Sequence, residues 1–161
     1  MQGLLLCFLS SSAEPLDYSP CYYKPYYESD NAGQIICDGA IASDVLDAFR
    51  RNSNNSNIDV LYLWNMNDMT THMLTKIVDI VAKSASQNVW RIEMENFQKV
   101  TKVPKSLRRF TNLQHLRFKR IGGMKVLPSG SITVSADFLG HIYCSDNPNL
   151  KVIKRGAFQG T

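Results

Sequence analysis

The sequence predicts an α/β solenoid, in which short parallel strands stack from one coil to the next. Three observations favour this class. One spacing of apolar residues occurs four times, an amphipathic helical segment lies between the first and second occurrences, and the cysteines Cys21 and Cys37 stand close together before them all. A single unit of this kind cannot bury its apolar side alone, so the fold depends on stacking. We divide the 161 residues into a signal peptide at 1–13, an N-terminal cap at 14–52 and repeats at 53–161.

The first thirteen residues have the pattern of a secretory signal peptide. An apolar run, Gly3–Leu9, is followed by small residues, and Ser11 and Ala13 suit the subsites of signal peptidase. We therefore predict cleavage after Ala13 and a secreted, extracellular protein. The run is far shorter than the about 20 residues of a membrane-spanning helix, and no later segment is long and apolar enough to form one. A truncated gene model would give the same pattern, because no Lys or Arg precedes the run.

Residues 14–52 are predicted to form a cap that is cross-linked by a disulfide. Cys21 and Cys37 are close in sequence, and in an oxidising compartment they would pair. Zinc binding is the less favoured alternative, because no CxxC motif or Cys/His cluster accompanies them. Residues 34–37 form a short β-prone run. A helix is expected near residues 43–51, with Ser43 or Asp44 as its N-cap.

A polar stretch after this helix contains a candidate glycosylation site. Asn54 opens an N-x-S sequon within residues 51–57, which are almost entirely Asn, Ser and Arg. Such a stretch indicates an exposed loop, where a glycosyltransferase could reach the amide nitrogen. We expect glycosylation of Asn54 only if the chain is secreted.

The repeated pattern has apolar residues at its first, fourth and sixth positions and a further defined position at the ninth. The four occurrences are Ile58, Leu61, Leu63 and Met66; Val89, Ile92, Met94 and Phe97; Leu113, Leu116, Phe118 and Ile121; and Leu139, Ile142, Cys144 and Asn147. The fourth and sixth positions are two residues apart on a strand, so their side chains point to the same side. We expect them to enter a core that neighbouring repeats share.

One helix accounts for the longer distance between the first two repeats. The repeats start 31, 24 and 26 residues apart, and about 20–29 is usual. Residues 70–84 carry apolar side chains at helical spacing, with Thr70 or Thr71 as the N-cap. This segment is predicted to be a helix whose apolar stripe faces the core.

The residues that alternate with the buried positions are predicted to line the concave, solvent-facing side of the strands. Aromatic and arginine side chains are the types that anchor protein interfaces, and several occur among them. The candidate binding residues are Tyr62, Trp64, Arg91, Glu93, Glu95, Arg117, Lys119, Tyr143 and Ser145. The alternative is that they are only exposed strand residues.

The C-terminal segment resembles extracellular leucine-rich repeats, in which stretches like its NPNLKVIKRGAFQG, residues 147–160, are common. The resemblance covers residues 58–160 and implies a partial leucine-rich-repeat horseshoe with a cysteine-containing N-terminal cap. In that family an asparagine at the ninth position bonds the backbone between coils, and here only Asn147 remains. We therefore expect the early coils to be less regular. Because no C-terminal cysteine cap follows, we expect a truncated repeat array, or an atypical cap or a partner that covers the end.

The cap also resembles a group of secreted arthropod proteins typified by the non-catalytic subunit of oplophorus-luciferin 2-monooxygenase. In that group a short cap ends in a Cys-Asp-Gly-like step before a helix and irregular repeats, and here this step is Cys37, Asp38 and Gly39. The resemblance implies an accessory, non-catalytic role beside a secreted oxidative enzyme.

Residues with catalytic or metal-binding chemistry do not form a recognisable motif. The chain has no GxSxG, HExxH, P-loop or GxGxxG sequence, so we predict no enzyme activity, no metal and no cofactor. His115 and His141 hold equivalent repeat positions and should be neighbours; an acid/base or metal pair is the less favoured interpretation. Cys144 fits a buried thiol better than a nucleophile. The net charge of +4 is scattered, which does not favour nucleic acid.

These observations favour a secreted protein-binding scaffold with a protein partner of unknown identity. Two alternatives remain: the non-catalytic accessory subunit of a secreted oxidative enzyme, and the N-terminal part of a receptor ectodomain. The sequence predicts neither the ligand nor the oligomeric state.

Overall fold

The computed structural model describes residues 17–25, 33–134 and 140–160. The predicted signal peptide at residues 1–13 and the repeat residue Leu139 lie outside the described residues. Two α-helices are present, α1 (Ala42–Arg51) and α2 (Thr71–Ser84), and residues Lys105–Arg109 form a 3-10 helix. The strands are β1 (Tyr22–Pro25), β2 (Gly33–Asp38), β3 (Ile58–Trp64), β4 (Arg91–Phe97), β5 (His115–Ile121), β6 (Val126–Leu127), β7 (Ile132–Val134), β8 (His141–Ser145), β9 (Val152–Ile153) and β10 (Phe158–Gly160).

Six strands form the main sheet, in the order β1-β2-β3-β4-β5-β8. β1 is antiparallel to β2, and every other pairing in this sheet is parallel. Two further parallel pairs, β6 with β9 and β7 with β10, form separate two-stranded sheets. β2 was expected only as a short β-prone run, yet it pairs in parallel with β3. The parallel stack therefore begins inside the segment that we predicted as the cap.

The buried side of this sheet consists of two rows of side chains that cross the parallel strands in register. The first row is Ile35, Leu61, Ile92, Leu116 and Ile142, and the second is Cys37, Leu63, Met94, Phe118 and Cys144. The members on β2 to β5 are at most 2% exposed, whereas the two on β8 are half-buried. The fourth and sixth positions of the pattern thus point into one common core, as predicted.

The two helices cover this buried side. Leu74, Ile77 and Val81 of α2 are fully buried in the same apolar cluster as the strand rows, together with Val45 and Phe49 of α1. The side chains of α2 recur at three- and four-residue spacing, which places them on one helical face. Burial of this face against the sheet fixes both helices on one side and leaves the other side of the sheet to solvent.

The helix N-termini are capped in two different ways. The Thr70 hydroxyl accepts a hydrogen bond from the Met73 amide at 3.3 Å, as predicted for α2. For α1 the expected caps were wrong, because the helix begins at Ala42 and Ser43 bonds the side chain of Asp44 instead. The carboxylate of Asp68, 26 residues away, accepts the Ala42 amide at 3.1 and 3.3 Å. A distant carboxylate at a helix N-terminus satisfies an amide that has no partner within the helix.

The disulfide between Cys21 and Cys37 is present, as predicted. It joins the segment before β1 to the end of β2, and both cysteines are buried. The side chain of Asn55 donates to the phenol oxygen of the buried Tyr18 at 3.0 Å, which ties the same segment to the loop before β3. The segment before β1 is therefore held to β2 by a covalent bond and to the loop before β3 by a buried polar contact.

A residue with a positive φ lies at the carboxyl end of β2, β3, β4, β5 and β8, either directly after the strand or as its penultimate residue. These residues are Gly39, Asn65, Asn96, Arg120 and Asp146, with φ between 53° and 66°. Glycine, asparagine and aspartate adopt this left-handed conformation more readily than other residues, and four of the five are of these types. The backbone therefore has the same left-handed conformation at the carboxyl end of each of these five strands.

Candidate binding face

Eleven side chains form what we call the outward face, on the side of the sheet away from the helices. They lie on β3, β4, β5 and β8, in register across the strands: Tyr62, Glu93, Arg117 and Tyr143 in a middle row; Trp64, Glu95, Lys119 and Ser145 towards the carboxyl ends; and Arg91, His115 and His141 towards the amino ends. All nine predicted binding residues are among them. Because successive side chains of a strand point to opposite sides of the sheet, these residues lie on the side opposite the buried rows.

Glu93 lies at the centre of this face and is only 4% exposed. The expectation that its side chain points freely into solvent was wrong, because two arginines cover it. Arg91 donates to Oε1 through Nε at 2.8 Å and also through Nη2, and Nη1 of Arg117 lies 3.5 Å from Oε2. Glu93 therefore orients the two guanidinium groups, since a buried carboxylate needs such partners.

Glu95 forms a second, more exposed centre two residues further along β4. Its carboxylate lies 3.8 Å from Nη2 of Arg117 and 3.7 Å from Nζ of Lys119, and it also accepts a hydrogen bond from Arg120. Arg120 was not predicted as part of the face. It is the penultimate residue of β5 and has a positive φ, and no pattern in the sequence marks it. Arg117 bridges both glutamates and so connects the two centres.

A series of rings runs along the amino ends of the strands. The ring of Trp90 packs edge-on against His115 at 5.7 Å, His115 stacks on His141 at 4.8 Å, and His141 stacks on Tyr143 at 5.8 Å. The predicted proximity of the two histidines is therefore confirmed. Trp90 directly precedes β4 and was missed, because the alternation of the repeat pattern begins its outward positions at Arg91.

The environment of His115 disfavours its protonated form. Partial burial lowers the pKa of this imidazole, and the nearby His141 and Arg91 lower it further, against a smaller opposite effect of Glu93. His115 therefore loses its charge more readily than a histidine in water. Parallel stacked rings present their faces to each other, and their ring nitrogens lie at the ring edges, so the pair acts as a packed wall.

A second aromatic pair occupies the β3 edge of the face. The rings of Tyr62 and Trp64 are 4.7 Å apart, and the guanidinium of Arg91 lies 5.6 Å from the centre of the Tyr62 ring. Burial raises the pKa of the Tyr62 phenol. The indole N–H of Trp64 is buried and has no hydrogen-bond partner among the described residues. Cation–π contact and ring packing thus hold Arg91 between Glu93 and Tyr62.

A depression of about 350 Å³ opens between β4, β5 and β8. Its lining residues are Arg91, Glu93, His115, Arg117, Tyr143 and Ser145. Tyr143 is 50% exposed and forms its most prominent apolar wall. The depression combines cationic donors, a hydroxyl and an aromatic surface, which is the chemistry of a site for a polar or anionic side chain.

The remaining candidate residues lie away from this face or serve the core. Asn54 is exposed in the turn after α1, where its glycosylation stays a prediction. The thiol of Cys144 is half-buried, its pKa is raised by burial, and Asn147 donates to its sulfur at 3.6 Å. Among residues 17–25, 33–134 and 140–160, no group of three His, Cys, Asp or Glu side chains is placed to hold a metal ion. No helix in these ranges is long and apolar enough to cross a membrane.

The chain matches no protein-family model, no curated protein and no solved structure.

Proposed function

We propose that the chain is a secreted leucine-rich-repeat scaffold that binds another protein through its outward face. One observation carries this proposal: four strands share one register, so that the nine predicted binding residues lie on a single continuous surface. Anchors of the kinds found at protein interfaces, tyrosine, tryptophan and arginine, are clustered there. The face is also pre-organised by its own ion pairs and ring contacts, which reduces the entropy lost on binding.

Two features support the leucine-rich-repeat class. The apolar fourth and sixth positions on β3, β4 and β5 lie in one buried core, and those on β8 pack against it half-buried, which is the role that such repeats require. Asn147 at the ninth position bonds the preceding coil, because its Oδ1 accepts the Ile121 amide at 2.8 Å and its Nδ2 donates to the Phe118 carbonyl at 3.2 Å.

The cap and the polar loop support secretion. A disulfide such as Cys21–Cys37 persists in oxidising compartments and is rare in the cytosol. Expression of the full chain in insect cells tests this part. We expect the protein in the medium, with Glu14 as its first residue and a glycan that is lost in Asn54→Gln. Retention of intact Met1 protein inside the cell would contradict secretion.

A peptide-display selection tests the binding proposal directly. Peptides selected for binding to the purified chain should lose most of their affinity for the Tyr143→Ala variant, because this ring is the most prominent apolar wall of the outward face. The matched control is Tyr22→Ala, which removes a 72% exposed tyrosine from β1 of the cap. Binders that respond equally to both variants, or only to the control, contradict the outward face as the binding surface.

A further inference from the structure

We infer that the outward face recognises an extended acidic protein segment whose carboxylates are two residues apart, and that this segment lies along β5. This inference rests on the proposed function and adds the chemistry of the ligand. Its basis is the arrangement of charge on β4 and β5 and the shape of the depression beside them.

Cations outnumber carboxylates in this part of the face. Four side chains, from Arg91, Arg117, Lys119 and Arg120, surround the two carboxylates of Glu93 and Glu95. Glu93 is covered by its arginine partners and presents almost no surface to a ligand. The charge that an approaching molecule meets over β5 is therefore positive, which favours an anionic partner.

The cations of β5 still have hydrogen-bonding capacity for a ligand. Arg117 contacts Glu93 at 3.5 Å and Glu95 at 3.8 Å, and Lys119 contacts Glu95 at 3.7 Å. Charge-assisted hydrogen bonds are usually about 2.7–2.9 Å, so these ion pairs are long. A guanidinium carries five N–H donors, and the side chain of Arg117 is 34% exposed. An incoming carboxylate can therefore form shorter bonds than those already present.

The spacing of these cations fits an extended peptide. Arg117 and Lys119 are two residues apart on one strand, which places their side chains on the same side at about 7 Å along the strand. An extended peptide that runs beside β5 has the same spacing between alternate side chains. Carboxylates at alternate positions can thus meet Arg117 and Lys119 together, while a residue beside them packs on Tyr143 in the depression.

A dense polyanion fits this face less well. Glu95 lies within ion-pair distance of both Arg117 and Lys119, so a closely charged backbone would pass over a carboxylate between its two contacts. Polyanion affinity also grows with the number of phosphates neutralised, and few cations are available here. Nucleic acids and sulfated polysaccharides are therefore included in the test as competing ligands.

Fluorescence anisotropy with labelled peptides tests the inference. The main probe is a short peptide in which glutamate alternates with threonine; one control has the same composition with its glutamates adjacent, and another has glutamine in their place. We expect the alternating peptide to bind most tightly and to be displaced by salt. Equal binding of the alternating and adjacent peptides, or tighter binding of single-stranded DNA or a heparin oligosaccharide, would overturn it.

Two double variants locate the site. Arg117→Gln with Lys119→Gln should weaken the alternating peptide by about tenfold or more, since two charge-assisted contacts are lost. Arg108→Gln with Arg109→Gln removes the same charge from two exposed residues of the 3-10 helix and should change the affinity much less. An equal loss in both would show that the net charge alone attracts the peptide, contrary to the inference.

A measurement on the unmodified chain covers the case in which the first double variant does not fold. In NMR titration with the alternating peptide, the amide shifts of Arg117, Lys119 and Tyr143 should move most, and shifts centred elsewhere contradict the inference. If display-selected peptides bind the outward face but are not acidic, the ligand chemistry is wrong and the proposed function stands. If acidic peptides bind away from this face, both fail.

Discussion

Replacement of Asn147 by alanine removes a cross-coil contact that can be assigned bond by bond. Its Oδ1 accepts the amide of Ile121, and its Nδ2 donates to the carbonyl of Phe118. Both groups belong to β5, and the side chains of these two residues are buried, so water replaces the lost partners only in part. Asn147→Ala thus leaves a donor and an acceptor at the end of a strand without their partner.

The loss of these two bonds sets the expected cost. A hydrogen bond between uncharged groups contributes about 1 kcal/mol, and a partly buried group that loses its partner adds to the loss. We therefore expect Asn147→Ala to lower the free energy of unfolding of the last coil by about 2 kcal/mol, which is about a thirtyfold change in an equilibrium constant. Asn147→Leu should not restore it, although the ninth positions of the earlier coils, Met66, Phe97 and Ile121, are apolar.

Native-state hydrogen exchange of the Ile121 amide measures this effect where it arises. We expect about thirtyfold faster exchange at Ile121 and little change at Ile92, because stacked coils open locally. The control is Asn149→Ala, which loses a single bond from Nδ2 to the Gly122 carbonyl at a more exposed position and should cost less. A change at Ile121 below about 0.5 kcal/mol, or full rescue by leucine, would refute the reasoning.

Three further predictions concern stability. Ser106→Ala should stabilise the chain by about 1 kcal/mol in urea unfolding, because the buried Ser106 hydroxyl has no partner among the described residues; destabilisation would reveal a partner. Reduction of the Cys21–Cys37 disulfide, which joins residues 16 apart, should lower the free energy of unfolding by about 3 kcal/mol in the chain-entropy model. The measurement is the melting temperature, which should fall when a reductant is added. The fall should be equally large in a Cys144→Ser variant. The pKa of His115 in the folded state lies below its ordinary value of 6.5. As the pH falls through 6.5, the imidazole is therefore protonated in the unfolded chain before it is protonated in the folded one. The free energy of unfolding should decrease over this pH range. His115→Gln should flatten that part of the pH profile, and a profile as steep as that of the parent would contradict the prediction.

The strands and the second helix could be predicted because periodicity is local. Apolar residues two apart define each buried pair, and the predicted repeats at Ile58, Val89 and Leu113 contain β3, β4 and β5. The helix expected at residues 70–84 is observed as Thr71–Ser84, with Thr70 as its N-cap. In these segments the spacing of apolar residues along the sequence indicates which side of the helix or strand is buried.

Features that depend on partners distant in sequence could not be predicted in the same way. The N-terminus of α1 is capped by Asp68, which lies beyond β3 and is adjacent only in the fold. The burial of Glu93 depends on Arg91 of its own strand and Arg117 of the next, so its position on the exposed side indicated the wrong environment. Alternation assigns a side chain to a face, and the neighbours on that face decide its exposure.

The pairing of β3, β4 and β5 is held by contacts other than an asparagine at the ninth position of the repeat. The early coils were expected to be irregular without this asparagine. The pairing of β2 with β3 does shift register between Gly33 and Gln34, whereas the pairings of β3 with β4 and of β4 with β5 show no shift. Carboxamides at the left-handed positions supply cross-coil bonds instead. The Asn65 side chain donates to the Asp38 carboxylate at 2.6 Å, and Nδ2 of Asn96 donates to the side-chain oxygen Oδ1 of Asn65 at 2.9 Å.

Backbone bonds at the same positions extend this connection. The amide of Gly39 donates to the Trp64 carbonyl at 3.1 Å, and the amide of Asn65 donates to the Glu95 carbonyl at 3.0 Å. A residue with positive φ turns its amide towards the next coil, and asparagine both tolerates that conformation and offers a side chain for a second bond. Because these bonds are exposed, each contributes less than a buried one, but they recur from coil to coil. The early coils are thus linked where the chain leaves the sheet, whereas the last coil is linked by Asn147, and an apolar ninth position in the early coils is free to serve packing alone.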